Sequence, residues 1–406
     1  MRLLYICQHF GFPDQPTGTR AYDLATSFVK EGLDVTILTT TNSMPNLETH
    51  SRWGYIERDG LKIYAVKCPY DQTMTFRRRI LSFIQFLFYA SIKSLKIKCD
   101  LVLATSTPLT VGIPALVKKT LGRTPYVFEV RDVWPDVPIK MGILRNPILN
   151  WMLEKLEKRI YRRASGIVPL SVGMKQNILS RIKMSDKRLV TIPNISEINR
   201  FANISERAEE LFPFDVAHKK IVLYCGTFGR VNGLGYLVSL AAETAKIDPS
   251  IVYCIFGKGN EKEDILQRAK ELGVLDKTFF YGGRVAKEKI PSLYYTAAVG
   301  SSFVIDNPAL WDNSANKFFD TLAAKRPMLI NHEGWQADVI RQYKCGYVLP
   351  PVVTSEVAQD FVTFMQNEAQ LKDCGENAYN LAKEQYALSV ATKKYLDLFS
   401  NVQIRH

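Results

Sequence analysis

Two aspartates eight positions apart bracket the segment Asp312-Asn-Ser-Ala-Asn-Lys-Phe-Phe-Asp320, and Thr-Leu-Ala-Ala-Lys-Arg-Pro-Met-Leu-Ile-Asn331 follows it. A polar stretch ahead of an apolar helix, then a Pro-led hydrophobic run, predicts a loop, a helix and a strand. Ser314, Asn316 and the backbone N–H groups at such a helix start can face an anion, because the first turn has unpaired donors and a partial positive charge. Lys317 adds a formal charge at the same place. Asp320, two turns further on, can accept hydroxyls. A ligand with a phosphate at one end and a diol beside it, such as a nucleotide sugar, satisfies both. The same residues also fit a plainer reading, with Asp312 capping the helix and Asp320 on a solvated face.

Other chemistry-bearing residues fall where strands give way to helices. The first strand is followed by a Gly/Pro-rich loop ending in Gly18, Thr19 and Arg20, where a backbone without Cβ can approach a diphosphate. It is neither a Gly-x-Gly-x-x-Gly fingerprint nor a Lys-containing P-loop. Glu129-Val-Arg131-Asp132-Val-Trp-Pro-Asp136 closes another strand. Arg131 is permanently charged and cannot act as a base, so a role there is electrostatic, while Asp132 can orient a hydroxyl. Both can equally pair with neighbours to fix their loop. Gly226, Thr227, Arg230, Asn232 and Gly233 lie on one further turn, with Gly257 and Arg284 on two more. Each of these is an anion-approach site or an ordinary tight turn.

The elements that must position these loops alternate. Strand-like runs at 2–7, 34–40, 100–105, 125–130, 166–170 and 189–193 are separated by helical stretches such as 20–31, 108–121, 147–163 and 174–182. Residues 55–66, with Asp59-Gly60 at the bend, read as an inserted hairpin. A second series begins at 220–225 and continues through 251–256, 278–281, 299–304 and 328–331. Alternation of this kind predicts parallel sheets covered on both faces, hence two doubly wound α/β domains. The polar stretch 194–213 joins them, giving domains at 1–195 and 196–385 with a terminal helical segment, 386–406. Ligands of such sheets bind beyond the strand C-ends, which places the expected site in a cleft between the domains.

At 406 residues, 47% apolar and 23% charged, the chain has ordinary globular composition and room for two cores. Its seven cysteines show no Cys-x-x-Cys pair, so reduced core thiols are expected rather than a zinc or redox site. Residues 1–200 hold 30 Lys and Arg against 16 Asp and Glu, and residues 201–406 hold 23 against 24, or +14 and −1. The basic half should face something anionic, a phospholipid surface or nucleic acid. Residues 76–98 favour lipid: Arg77, Arg78 and Arg79 precede a thirteen-residue run without charge, closed by Lys93, Lys96 and Lys98. That run is too short to span a bilayer. On a helical period Arg78, Ser82, Gln85, Tyr89, Lys93 and Lys96 form one polar stripe beside a wide apolar arc, which suits either the lipid interface or a helix buried on two sides. The opening run Arg2-Leu-Leu-Tyr-Ile-Cys7 is too short for a signal peptide, so a cytoplasmic location is expected, peripheral on the inner face of the cell membrane.

Taken in order, the first-strand Gly loop, Asp132-Val-Trp-Pro135, Ile192-Pro-Asn194, the Gly226 turn and the paired acids resemble family 4 retaining glycosyltransferases, in the branch that builds bacterial surface polysaccharides. The resemblance implies a GT-B fold, two Rossmann-like domains facing across a cleft, with a basic acceptor-binding first domain, a nucleotide-sugar-binding second domain and a final helix crossing back. It implies a retaining transfer from a UDP-sugar to a lipid-linked glycan for capsule, exopolysaccharide or O-antigen, with no bound metal and no other cofactor. Asp312 and Asp320 match the family's paired Glu, which bind the sugar and the ribose; Asp132 and Arg131 match its His-Asp loop, with Arg in place of His. Where the family carries an Arg and a Lys that grip the diphosphate, this chain has Thr227 and Asn232, with Arg230 between them and Lys317 as a further candidate cation.

Three other classes remain open, one of them an inactive member of the family, since Thr227, Asn232 and Arg131 all depart from its pattern. A nucleotide-sugar 2-epimerase shares this architecture, although no set of His and acids for breaking a C–H bond stands out. A non-catalytic basic membrane-binding protein of the same fold accounts for the charge but not for the strand-end loops of the second half. No nucleic-acid partner is expected.

Overall fold

Runs such as Leu101–Thr105 and Tyr126–Val130 are buried at every position, so both of their faces must be covered, and helices do the covering. The computed structural model describes residues 1–15, 18–44, 47–50, 52–68, 74, 76–142, 144–186, 188–202 and 209–403; parts of the first loop (16–17) and of the joining segment (203–208) lie outside it, as do the side chains of Arg77 and Arg79. The chain forms two units, Met1–Pro193 with Leu388–His406, and Asn194–Ala387.

The first unit runs β1 (Arg2–Ile6), α1 (Arg20–Lys30), β2 (Asp34–Thr40), β3 (Trp53–Arg58), β4 (Leu61–Val66), α2 (Phe76–Lys96), β5 (Leu101–Thr105), α3 (Gly112–Gly122), β6 (Tyr126–Val130), α4 (Asp136–Lys140), α5 (Pro147–Arg163), β7 (Gly166–Pro169) and α6 (Val172–Arg181). The second runs α7 (Ile198–Ala202), β8 (Lys220–Thr227), α8 (Leu234–Thr244), β9 (Ile251–Lys258), α9 (Lys262–Glu271), β10 (Phe279–Tyr281), α10 (Ile290–Thr296), β11 (Val299–Ser302), α11 (Asn316–Ala323), β12 (Met328–Ile330), α12 (Trp335–Tyr343), β13 (Gly346–Val348), α13 (Ser355–Gln366) and α14 (Glu368–Leu381). The last helix, α15 (Leu388–Gln403), belongs to the first unit.

In the first sheet the order is β3-β4-β2-β1-β5-β6-β7, parallel except for β3. Asp59 and Gly60, at φ 54° and 76°, make the left-handed two-residue bend that joins β3 to β4. Residues 189–193, expected as a strand, run along β7 as an extended segment: Leu189 bridges Ile167, and the N–H groups of Val190 and Ile192 donate to the carbonyls of Ile167 (3.1 Å) and Pro169 (3.0 Å). The second sheet is ordered β10-β9-β8-β11-β12-β13 and is parallel throughout.

On one face of the first sheet, Phe86 and Ala90 of α2, Ala115 of α3 and Ile160 and Tyr161 of α5 share a core with Leu4, Ile6, Val102, Ala104 and Phe128. On the other, Phe28 of α1 packs edge-on against Tyr395 and Phe399 of α15, with centroids 5.6 and 5.5 Å away. The stripe expected on α2 is reassigned by this packing. Ser82 is buried in line with Phe86, Ala90 and Ser94, while Leu81, Ile84, Phe88 and Ile92 are exposed, so the helix is not covered on two sides.

Arg20 is a second correction. It lies in the interior instead of facing a ligand: its guanidinium is 2.7 Å from Glu129 and donates to the carbonyls of Pro193 (2.8 Å) and Ile192 (3.2 Å). Glu129 also accepts from Tyr395 at 2.6 Å and from Thr105. Burial opposes ionisation of Glu129, but Arg20, Arg131 and these hydroxyls outweigh it and hold its pKa below the ordinary 4.5. Glu129→Ala strands a buried guanidinium and should cost the first unit about 3–5 kcal/mol in denaturant unfolding. Because the folded carboxylate is the stronger acid, its contribution is present above the unfolded pKa and lost as pH falls through the folded value. An acid-unfolding midpoint unchanged in Glu129→Gln would contradict this.

Candidate functional site

In the second sheet β8 and β11 are neighbours whose onward connections run to opposite sides, to β9 and to β12, which opens a crevice beyond the strand C-ends. The loops that follow β8, β9, β10 and β11 converge there. Gly257, at φ 143°, stands where a Cβ would lie 1.8 Å from the Gly226 carbonyl oxygen, so the ends of β8 and β9 approach only because Gly257 lacks a side chain. A Cβ on Gly226 would also come within 3.2 Å of Lys317 Cε. Gly226 thus makes room for the Lys317 stem.

Lys317, in the first turn of α11, is only 9% exposed. Its Nζ donates to Asn232 Oδ1 at 3.1 Å and lies 4.8 Å from the centre of the Tyr224 ring. Among the described residues it has no carboxylate partner. Burial pushes its pKa down to about 8, with a small opposing effect from the Cys225 thiol. Ala315 occupies the helix N-cap without a side-chain hydrogen bond, so Asp312 is not the cap of α11; it lies half-buried in the preceding loop. Ser314 accepts from the Asn194 N–H at 3.3 Å through Oγ, and its carbonyl accepts from the Asn194 amide. Asn316 is exposed at the helix start.

Asp320, 8% exposed, is not on a wet face. Its Oδ2 accepts from Lys287 Nζ at 2.5 Å, and Lys287 is equally buried. Lys287 is the functional candidate that the sequence reading missed, since Lys287-Glu-Lys289 reads as a solvated charged turn. Its proximity to Asp320 arises from a contact made 33 positions away. Arg230, Thr227 and Arg284 are exposed, and Asn232 is half-buried. The crevice of this unit therefore gathers Gly226, Asn232, Gly257, Lys287, Lys317 and Asp320.

In the first unit the corresponding reversal is at β1 and β5, with β2 on one side and β6 on the other. Asp132 is exposed and accepts from Thr107 Oγ1 at 2.7 Å, and the Arg131 N–H donates to Ser106 Oγ at 2.9 Å. Thr19 is buried and its hydroxyl donates to Asp23 at 2.6 Å, while Gly18 is exposed ahead of α1. Arg131, Asp132 and Gly18 thus sit on loops that leave the C-ends of central strands.

Two expectations follow from this geometry. An anion such as UDP should bind best to the Lys317 ammonium, so affinity holds below about pH 8 and falls as the lysine deprotonates above it, while Lys317→Met should cost about 1.5–3 kcal/mol and abolish that pH dependence. Calorimetric titrations between about pH 7 and 9.5 test this, and a flat wild-type profile would remove the role. Lys287→Met should destabilise the second unit by about 3 kcal/mol or more, and Lys287→Met with Asp320→Leu by much less, because the single change leaves a buried carboxylate uncompensated. Equal urea midpoints for the single and double variants would show that the pair is not a coupled unit.

Residues 17–195 match the family model described as glycosyl transferase 4-like domain, and residues 207–381 match that described as glycosyl transferases group 1. The chain is 22% identical over 261 residues to alpha-D-kanosaminyltransferase of Streptomyces kanamyceticus, covering 63% of this chain and 64% of that protein. It is 23% identical over 266 residues to WcaI of Escherichia coli, described as a colanic acid biosynthesis glycosyl transferase, covering 62% and 64%. The chain thus spans 64% of the length of each of these relatives. Its fold matches sucrose-phosphate synthase of Thermosynechococcus elongatus with a TM-score of 0.77 over 100% of both chains at 14% identity. It also matches HepE of Anabaena in complex with UDP and glucose, with a TM-score of 0.69 over 98% and 99% at 12% identity. With two parallel doubly wound units and these two family models in succession, the chain belongs to the GT-B glycosyltransferases, as a glycosyl transferase 4-like domain followed by a glycosyl transferases group 1 domain.

Proposed function

We propose that this protein transfers a sugar, with retention, from a nucleoside diphosphate sugar, a UDP-sugar in the first instance, to a lipid-linked or glycan acceptor in cell-surface polysaccharide synthesis at the inner face of the membrane. The observation that carries the reading is the Lys317 ammonium, buried without a carboxylate beside glycine-lined strand ends and a helix N-terminus. Cation and helix dipole together suit the diphosphate of a leaving nucleotide. The HepE complex contains UDP and glucose, and the WcaI description names a surface polysaccharide; both support the donor class and the setting.

In this reading the bond between the sugar anomeric carbon and the β-phosphate oxygen breaks while the acceptor hydroxyl attacks from the same face, and its proton passes to the departing phosphate oxygen. Lys317 and Arg230 stabilise the charge that grows on the diphosphate, and positioning supplies the rest. Asp320, with Oδ2 held by Lys287, offers Oδ1 to the ribose hydroxyls. Asp312 addresses the sugar, Ser314, Asn316, Thr227 and Asn232 the phosphates, and Gly257 and Arg284 the nucleoside. Gly18, Thr19, Arg131 and Asp132 serve the acceptor side.

Incubation with a panel of UDP-sugars and a polyprenyl-diphosphate sugar should place labelled sugar on the lipid with the donor's anomeric configuration. Interconverted nucleotide sugars without lipid product would instead make the protein an epimerase. Arg230→Met and Lys317→Met should each lower kcat about tenfold to a hundredfold with less effect on KM. Wild-type kcat in both would mean that the diphosphate site has been misplaced.

A further inference from the structure

The exposed large apolar residues are unevenly distributed. Among the described residues the second unit exposes only Ile247, Leu272, Tyr295 and Val352, whereas α2 exposes Ile80, Leu81, Ile84, Phe88, Ile92 and Leu95, and α5 exposes Ile148, Leu149, Trp151 and Met152. On α5 the buried line is Glu157, Ile160 and Tyr161, in the half nearer the C-terminus. The first turns therefore project beyond the core with Trp151 and Met152 each 56% exposed. Toward the C-terminus the exposed side turns basic, with Lys155, Arg159, Arg162 and Arg163. The helix's acids are Glu154 and Glu157, and Glu157 is buried 2.7 Å from Arg181. Lys155 Nζ lies 3.7 Å from the Trp151 ring centre, so the first base overlies the aromatic anchor.

We infer that α5 is a lipid anchor of the first unit, seating Ile148, Leu149, Trp151 and Met152 in the interface of an anionic bilayer while Lys155, Arg159, Arg162 and Arg163 meet its head groups. Because α2, α3 and α5 share one core, they cover the same face of the sheet, and α2 presents its own exposed apolar line on that side. Tryptophan prefers the boundary between hydrocarbon and water, and long basic side chains reach outward from it to phosphate. A second copy of the chain is a poor occupant, since two such faces would bring like charges together. No helix among the described residues is long and apolar enough to cross a membrane, so this contact is interfacial. The surface stands on exposure and charge; only its purpose, reaching a lipid-linked acceptor, rests on the proposed transfer.

The test uses the full chain with phosphatidylcholine vesicles, with and without phosphatidylglycerol. Wild type should float with the anionic vesicles, less so as salt rises. Trp151→Ser with Met152→Ser, and separately Lys155→Gln with Arg159→Gln and Arg162→Gln, should each lower the partition coefficient about tenfold or more. Brominated lipid tails should quench a component of the tryptophan emission that Trp151→Phe lacks. Equal flotation of the Trp151/Met152 variant, or no quenching at Trp151, overturns the assignment. So does concentration-dependent dimerisation, in sedimentation, that this variant abolishes while wild type ignores vesicles. UDP titration of the same proteins keeps the two readings apart: vesicle binding without UDP binding supports the anchor and removes the donor site, and the converse does the reverse.

Discussion

A charge taken out of water must be matched, and the second unit leaves one matched only by neutral groups. Lys317 sits in the first turn of α11, where the helix already presents a partial positive charge, so the dipole adds to the cost of keeping its ammonium there. An amide oxygen and the face of a tyrosine return part of that cost. The lowered pKa records the remainder. An anion at this position would relieve both the dipole and the ammonium.

Two other buried cations, one in each unit, show what a satisfied one looks like. Arg20 has a carboxylate and two carbonyls, all contributed by elements of its own unit, and it ties α1, β6, α15 and the end of the first segment together. Lys287 has Asp320 at 2.5 Å. A matched pair of this kind is a structural device first, since removing one partner costs more than the pair itself contributes. Lys287 thereby fixes the orientation of the Asp320 carboxylate. The distinction between a cation with an internal partner and one without separates positioning from binding more sharply than burial does.

Sequence pattern shows which residues lie at strand ends, because Gly, Pro and polar clusters interrupt apolar runs at a regular interval. The sheets followed directly: β2 and α5 begin and end at the positions expected from pattern, and the Asp59-Gly60 bend has the left-handed geometry its residues favour. Direction within a loop is a different matter. Arg20 stands two positions after Gly18 in the chain, yet the first turn of α1 rotates it into the core, and only the distant Glu129 explains why it stays there. On α2 the helical period was readable but not which arc would meet the sheet; Ser82 went inward and Phe88 outward. The strand β13, three residues at a sheet edge, had too little apolar length to stand out. Lys287 was hidden for the same reason as Glu129: its meaning lies in a partner far along the chain.

The departures from family pattern at 227 and 232 gain a physical sense from Lys317. A lysine at 232 would bring a second ammonium near Lys317, where like charges repel. Asparagine turns that encounter into a hydrogen bond, and its Oδ1 orients the Lys317 ammonium over the strand ends. Thr227 is exposed and its carbonyl accepts from Tyr224 at 2.8 Å, which fixes the ring on which the ammonium rests. The helix that carries Asp320 thus also carries a buried positive charge, and the residues at 227 and 232 hold it in place. Charge at a site can be kept while its source in the chain moves, provided the neighbours change from repelling to accepting.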